Sequence, residues 1–155
     1  MSVPPYEDQG SRPPRPKVDA GRLWTGGVAT AAVAALVAVV GVLIARGLFD
    51  VPLLAPTGEG TFGDASTARL AGLAALAALL ATGLMHLLLV STPRPVRFFS
   101  WIVTLATLIA VILPLMTDAE PSAKLATAVL NLVIGAAIGS LVSGIARSAV
   151  RVVNP

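Results

Sequence analysis

The chain has 155 residues, of which 55% are apolar and only 12% charged, with a mean hydropathy of +0.85, a formal net charge of +3 and no cysteine. A water-soluble domain carries about 25% charged residues, so this chain lacks the polar surface to coat itself in water. The missing cysteines exclude disulfides, thiolate metal sites, iron–sulfur clusters, covalently attached c-type haem and a cysteine nucleophile.

Residues 1–22 read as a proline-rich cytoplasmic tail. Pro4, Pro5, Pro13, Pro14 and Pro16, set among charges of both signs, bury too little apolar surface to offset chain entropy, so disorder is expected over about the first 20 residues. The stretch Arg12 to Lys17 fits a polyproline peptide by spacing and an anionic-lipid contact by charge; the plainer reading is a solvated tail that fixes topology.

Four apolar runs follow, over about 24–45, 70–90, 98–116 and 123–146, and none contains an acidic residue. At 1.5 Å rise per residue each reaches the roughly 30 Å of a hydrocarbon core, and a segment in lipid must satisfy its own backbone, so each predicts a membrane-spanning helix. The runs lack the polar stripe of a soluble bundle and the ten-residue alternation of a transmembrane barrel. The first run is too long, and too far from the amino end, for a cleaved signal peptide. The expected fold is all-α: an integral membrane four-helix up-and-down bundle over 23–147, with a disordered amino-terminal tail and a short cytoplasmic tail over 148–155.

Between spans one and two, Gly47 to Ala68 is the one long loop. Pro52, Pro56, Gly58, Gly60 and Gly63 predict a turn-rich course. Its segment Val51 to Pro56 is too apolar for free solvation: either it lies on the outer mouth of the bundle or it covers a partner. Arg46 and Asp50, four apart, pair if the first helix continues past the interface. The short connections Ser91 to Arg97 and Thr117 to Ser122 make spans two, three and four sequential antiparallel neighbours.

Basic residues orient the bundle. Arg12, Arg15, Lys17, Arg22, Arg94, Arg97, Arg147 and Arg151 fall at one end, against Arg46, Arg69 and Lys124 at the other. Cytoplasmic loops hold the excess of Lys and Arg, so both termini are expected inside. Trp24, Phe98, Phe99 and Trp101 fall at the same inner boundary, where aromatic rings suit the headgroup level. The high pI thus reflects topology; no basic stripe with interleaved aromatics points to nucleic acid.

Span four carries the strongest packing signal. Thr127, Asn131, Gly135, Gly139 and Ser143 recur every fourth residue and form one small or polar face, against which a second helix of this chain, a partner, or a second copy could pack closely. Spans one and two show similar faces at Gly26, Thr30, Ala34, Ala38 and at Ala74, Ala78, Thr82, His86, which weighs against a wide pore. Polar residues at membrane depth are the only chemical leads. His86 near the inner end of span two suggests a ligand or proton contact, with a hydrogen bond to a neighbouring helix as the plainer role. Asn131 is expected to bond across to another helix. Thr104 and Thr107 are expected to bond their own helix. Pro114 frees the carbonyl of Ala110, which then needs another donor. No catalytic triad assembles, no carboxylate lies within a span, and no cofactor or metal is implied.

The segments Arg46-Gly47-Leu48-Phe49-Asp50-Val51-Pro52, Thr92-Pro93-Arg94-Pro95 with Phe98-Phe99-Ser100-Trp101, and Lys124-Leu125-Ala126-Thr127 with Asn131 and Gly135 to Gly139 resemble a family of uncharacterised four-span membrane proteins of actinobacteria. The likeness covers about residues 22–147. It implies the four-span architecture and no activity. The whole reading is a non-enzymatic, multi-pass protein of the bacterial inner membrane that acts as an interaction or accessory subunit. Its partners are membrane lipids and a protein or a second copy, met through Asn131, Gly135, Gly139 and Ser143 and the outer loop around Arg46, Asp50, Pro52 and Pro56. The runner-up is a small transporter, channel or lipid-binding protein that uses His86 and Asn131.

Overall fold

The computed structural model describes the backbone of residues 16–56, 62–64 and 67–152, and the side chains of 19–54 and 67–149. Four helices dominate it: α1 (Ala20–Gly47), α2 (Thr67–Ser91), α3 (Pro95–Leu115) and α4 (Pro121–Ala149). Each is long and apolar enough to cross a membrane. The tail up to residue 15, which carries most of the expected disorder, lies outside the described residues, as does 57–61 of the long loop.

The helices start and stop for local reasons. At the head of α1 the Asp19 carboxylate accepts from the Arg22 backbone N–H at 3.0 Å, which satisfies one of the orphan donors of a first turn. Asp50 then adopts a left-handed φ of 54°, and the chain reverses so that the Val51 N–H donates to the Ala45 carbonyl at 2.8 Å. Pro95 and Pro121 open α3 and α4, where a missing N–H costs no helical bond.

Two short ladders close the ends. β1 (Pro16–Val18) pairs antiparallel with β4 (Val150–Val152), and the Asp19 N–H adds a bond to the Ala149 carbonyl at 3.1 Å. Regular structure is thus present from Pro16, within the tail expected over residues 1–22. The ladder partner is more than 130 residues away in sequence, so composition gave no sign of it. At the other end β2 (Leu54–Pro56) and β3 (Phe62–Asp64) form a hairpin within the long loop.

Side-chain size is distributed opposite to a soluble protein. The buried faces of α1 and α2 are built from Gly27, Thr30, Ala31, Ala34, Ala38, Ala74, Ala78 and Thr82, with Ala38 and Ala78 fully covered, while Leu36, Leu43 and Leu80 are 63 to 66% exposed. Such a shell suits lipid, where helices gain nothing from hiding apolar surface and gain instead from close backbone contact. α1 packs on α2 and α4, and α3 packs chiefly on α4. Only Phe99 and Pro114 of α3 are buried, so α3 is the peripheral helix. Phe99 is fully covered and belongs to the core, not to the interfacial aromatic group expected with Trp24, Phe98 and Trp101.

The tightest α1–α2 approach is at Gly27, where an added Cβ would collide with the Cγ2 and Oγ1 of Thr82. Thr82 cannot easily turn away, because its hydroxyl donates to the Ala78 carbonyl at 2.9 Å. Gly27→Ala should lower unfolding stability in detergent by about 1–3 kcal/mol, the usual penalty of overpacking. Gly72→Ala, with open space around it, should not lower it. Equal behaviour of the two variants in a denaturant titration would contradict this packing.

Candidate functional site

Two of the leads at membrane depth, Asn131 and the Ala110 carbonyl, meet where α4 crosses α3. Pro114 has no N–H, so the Ala110 carbonyl one turn earlier loses its helical donor. Asn131 fills the gap: its side-chain Nδ2 donates to the Ala110 carbonyl at 2.7 Å. Two separate sequence features, an orphaned carbonyl and an unexplained amide, are thus one interaction.

From that bond the α4 stripe continues along α3. A Cβ on Gly135 would strike Thr107, and one on Gly139 would come within 3.2 Å of the Val103 Cγ1. Ser143 is buried at the inner end of the same face. The stripe Asn131, Gly135, Gly139 and Ser143 is therefore a helix-packing face, and the helix it meets at Asn131, Gly135 and Gly139 is α3 of the same chain. Thr107 meets Gly135 in place of the expected bond to its own helix. That self-bond is made by Thr30, Thr82 and Thr127 at 2.8 to 2.9 Å.

Thr127, at the outer end of the stripe, has a role that its spacing did not reveal. Its Oγ1 accepts from the Leu54 backbone N–H at 3.0 Å while donating to the Ala123 carbonyl at 2.8 Å. Leu53 and Leu54 are buried. The apolar loop segment Val51 to Pro56 thus folds onto the mouth of its own bundle, the first of its two expected uses. Pro52 is exposed and Pro56 belongs to β2, its side chain lying outside the described residues. Arg46 and Asp50 do not share a helix face, because α1 ends at Gly47 and the backbone turns left-handed at Asp50.

His86 is half-buried on α2, and its Nδ1 is buried without a hydrogen-bond partner among the described residues. The expected bond to a neighbouring helix is therefore not made through this nitrogen. Asn131 lines an apolar groove of about 310 Å³ beside Ala74, Leu113 and Ile138, and His86 lines none of the large grooves between the described helices. The two residues are not brought together. Among the described residues no three of His, Asp and Glu cluster as a metal site would need.

The strength of the Asn131 bond is measurable as a double-mutant cycle. Asn131→Leu should destabilise the protein by about 0.6–1.7 kcal/mol, the range for polar contacts between membrane helices. In a Pro114→Ala background the helix supplies its own donor to Ala110, and the cost of Asn131→Leu should fall by most of that amount. A cycle with no coupling in reversible detergent unfolding would show that the amide does not serve the proline gap.

The sequence profile of a family of unknown function, DUF6069, matches residues 18–148, which take in α1 to α3 whole and α4 to within one residue of its end. No curated protein and no solved structure matches the chain.

Proposed function

The chain belongs to the DUF6069 family of unknown function, and from that premise we propose that it is a non-catalytic accessory protein of the bacterial cell membrane, with both ends in the cytoplasm. The commitment of Asn131 and of the buried threonines Thr30, Thr82 and Thr127 to structure carries this reading. The Asn131 amide serves the Ala110 carbonyl, and the Thr30, Thr82 and Thr127 hydroxyls serve carbonyls of their own helices. A transporter or hydrolase would keep such groups for a substrate. The actinobacterial source implied by the sequence resemblance belongs to the same proposal.

Since the α4 stripe and the outer loop are used within the chain, the contact with a partner falls to another face. The open groove between the outer halves of α1 and α4, about 800 Å³, fits that role. It is lined by Leu36, Val40, Ile44, Leu125 and Val129, large side chains that a partner's transmembrane helix can interlock with.

The native chain has no cysteine, so single introduced cysteines report cleanly. Leu36→Cys or Leu125→Cys should cross-link in native membranes to a discrete heavier species, and Ile109→Cys on the exposed face of α3 should not. Groove positions that yield only the monomer, or a smear matching that of Ile109→Cys, would defeat the accessory reading.

Orientation rests on the basic residues. Arg22, Arg94, Arg97 and Arg147 stand at the end where the chain termini pair, and Arg46, Arg69 and Lys124 at the other. A membrane-impermeant maleimide added to intact cells should label Asp118→Cys in the turn before α4 and spare Thr92→Cys in the turn before α3. The reverse pattern would invert the topology.

A further inference from the structure

The face of α3 and α4 that looks away from α2 holds a second groove, and its inner end differs in chemistry from the rest of the lipid-facing surface. There Arg97 of α3 and Arg147 of α4 line one cleft with Ser100, Trp101 and Thr104. Neither guanidinium has a protein partner among the described residues, and no acidic side chain lines the cleft. Ser100, Thr104 and Arg147 also line a neighbouring groove along the α3–α4 seam, whose walls carry Thr107, Ser140 and Ser143 among aliphatic side chains. It follows the seam past Gly139 and Gly135, where Val103 and Thr107 of α3 pack, to Leu108, Val111 and Leu132.

We propose that this groove is a binding site for one anionic phospholipid, with its phosphate between Arg97 and Arg147 and an acyl chain along the outer side of the α3–α4 seam toward Val111 and Leu132. Three properties of the site select that occupant. The first is charge. Paired guanidiniums offer bidentate donors to phosphate oxygens, and basic clefts between membrane helices at the headgroup level recruit anionic lipids. The uncapped amino end of α3 adds to the field: Arg94 makes no side-chain cap there, so the positive end of the helix dipole faces the same cleft, which Val96 and Arg97 line.

The second property is length. Leu132 and Arg147 are fifteen residues apart on one helix, about 22 Å, which exceeds half of the roughly 30 Å hydrocarbon core and so spans one leaflet. The third is the order of chemistries: guanidinium and indole at the inner end, hydroxyls of Thr104, Thr107, Ser140 and Ser143 along the middle, and hydrocarbon at Leu108, Val111 and Leu132. That sequence matches phosphate, glycerol ester and acyl chain. A free phosphate would use only the first of these, and a protein helix would leave the two arginines without a counter-charge. Of the two clefts, about 640 and 670 Å³, each lies within the roughly 300–1,000 Å³ of small-molecule sites. The site does not depend on the accessory reading, since it uses neither the α1–α4 groove nor a protein partner.

The chain's two tryptophans make the test internal. Trp101 lines the cleft and Trp24, on α1 at the same end of the bundle, does not. The full chain is reconstituted into phosphatidylcholine vesicles doped with phosphatidylglycerol or phosphatidylcholine brominated high on the acyl chain. In the Trp24→Phe protein, quenching of Trp101 should reach half-saturation at a mole fraction of brominated phosphatidylglycerol about thirtyfold lower than of brominated phosphatidylcholine, the size expected for two arginines at about 1 kcal/mol each. The preference should vanish in Trp24→Phe/Arg97→Gln/Arg147→Gln. Both arginines are exposed, and the α-helical circular dichroism of that variant should match that of the parent. Deacylated glycerophosphoglycerol at equal concentration should not relieve the quenching. Equal quenching by the two lipids, a preference that survives the glutamine substitutions, relief by the deacylated headgroup, or an identical preference at Trp24 in the Trp101→Phe protein would each overturn the site. The last outcome would reveal only a general excess of anionic lipid at a basic surface.

Discussion

A carbonyl freed inside hydrocarbon has no water to turn to, and that constraint organises this molecule. Pro114 creates such a carbonyl at Ala110, and the Asn131 amide meets it at 2.7 Å. Once the amide is anchored, the positions four and eight residues along α4 are set against Thr107 and Val103. Both are glycine: a Cβ would collide at Gly135 and sit tightly against Val103 at Gly139. The register of α3 on α4 thus follows from one polar bond and two missing side chains.

The same logic extends to the centre of the bundle. Lipid tails are as apolar as leucine, so the driving force that hides leucine in a soluble core is absent, and contact between backbones takes its place. Alanine, glycine and threonine fill the α1–α2 interface, and the threonine hydroxyls return to carbonyls of their own helix. The large side chains turn outward. The bundle's open volume lies in grooves at the helix boundaries.

α3 stands apart in this arrangement. It is held by α4 along the Asn131–Gly139 face, by Phe99 in the core, and only loosely by α2. Its outer side and its amino end remain available to the membrane, and the unneutralised arginines gather there. At the opposite end the chain covers itself: Leu53 and Leu54 close the bundle mouth and Thr127 fixes them by a backbone bond. One end is thus sealed by the protein's own loop. The other carries charge and joins the two chain ends through β1 and β4.

Four spans, their even number, the asymmetry of basic residues and the small-residue faces were all legible in the sequence, because each depends on local composition and on the 3.6-residue helical period. So were the elements of the key interaction: Pro114 identified its own orphaned carbonyl, and Asn131 identified itself as an interhelical donor. That the two are partners could not be read, since nothing in a helical period says which neighbour a face will meet. The same holds for Thr127 with Leu54, for Pro16–Val18 with Val150–Val152, and for Arg97 with Arg147, each pair separated by fifty or more residues. The sequence by itself determined how many helices cross and which faces are smooth. Only the tertiary structure decided which faces pair, because pairing is a property of two surfaces and the chain states each surface alone.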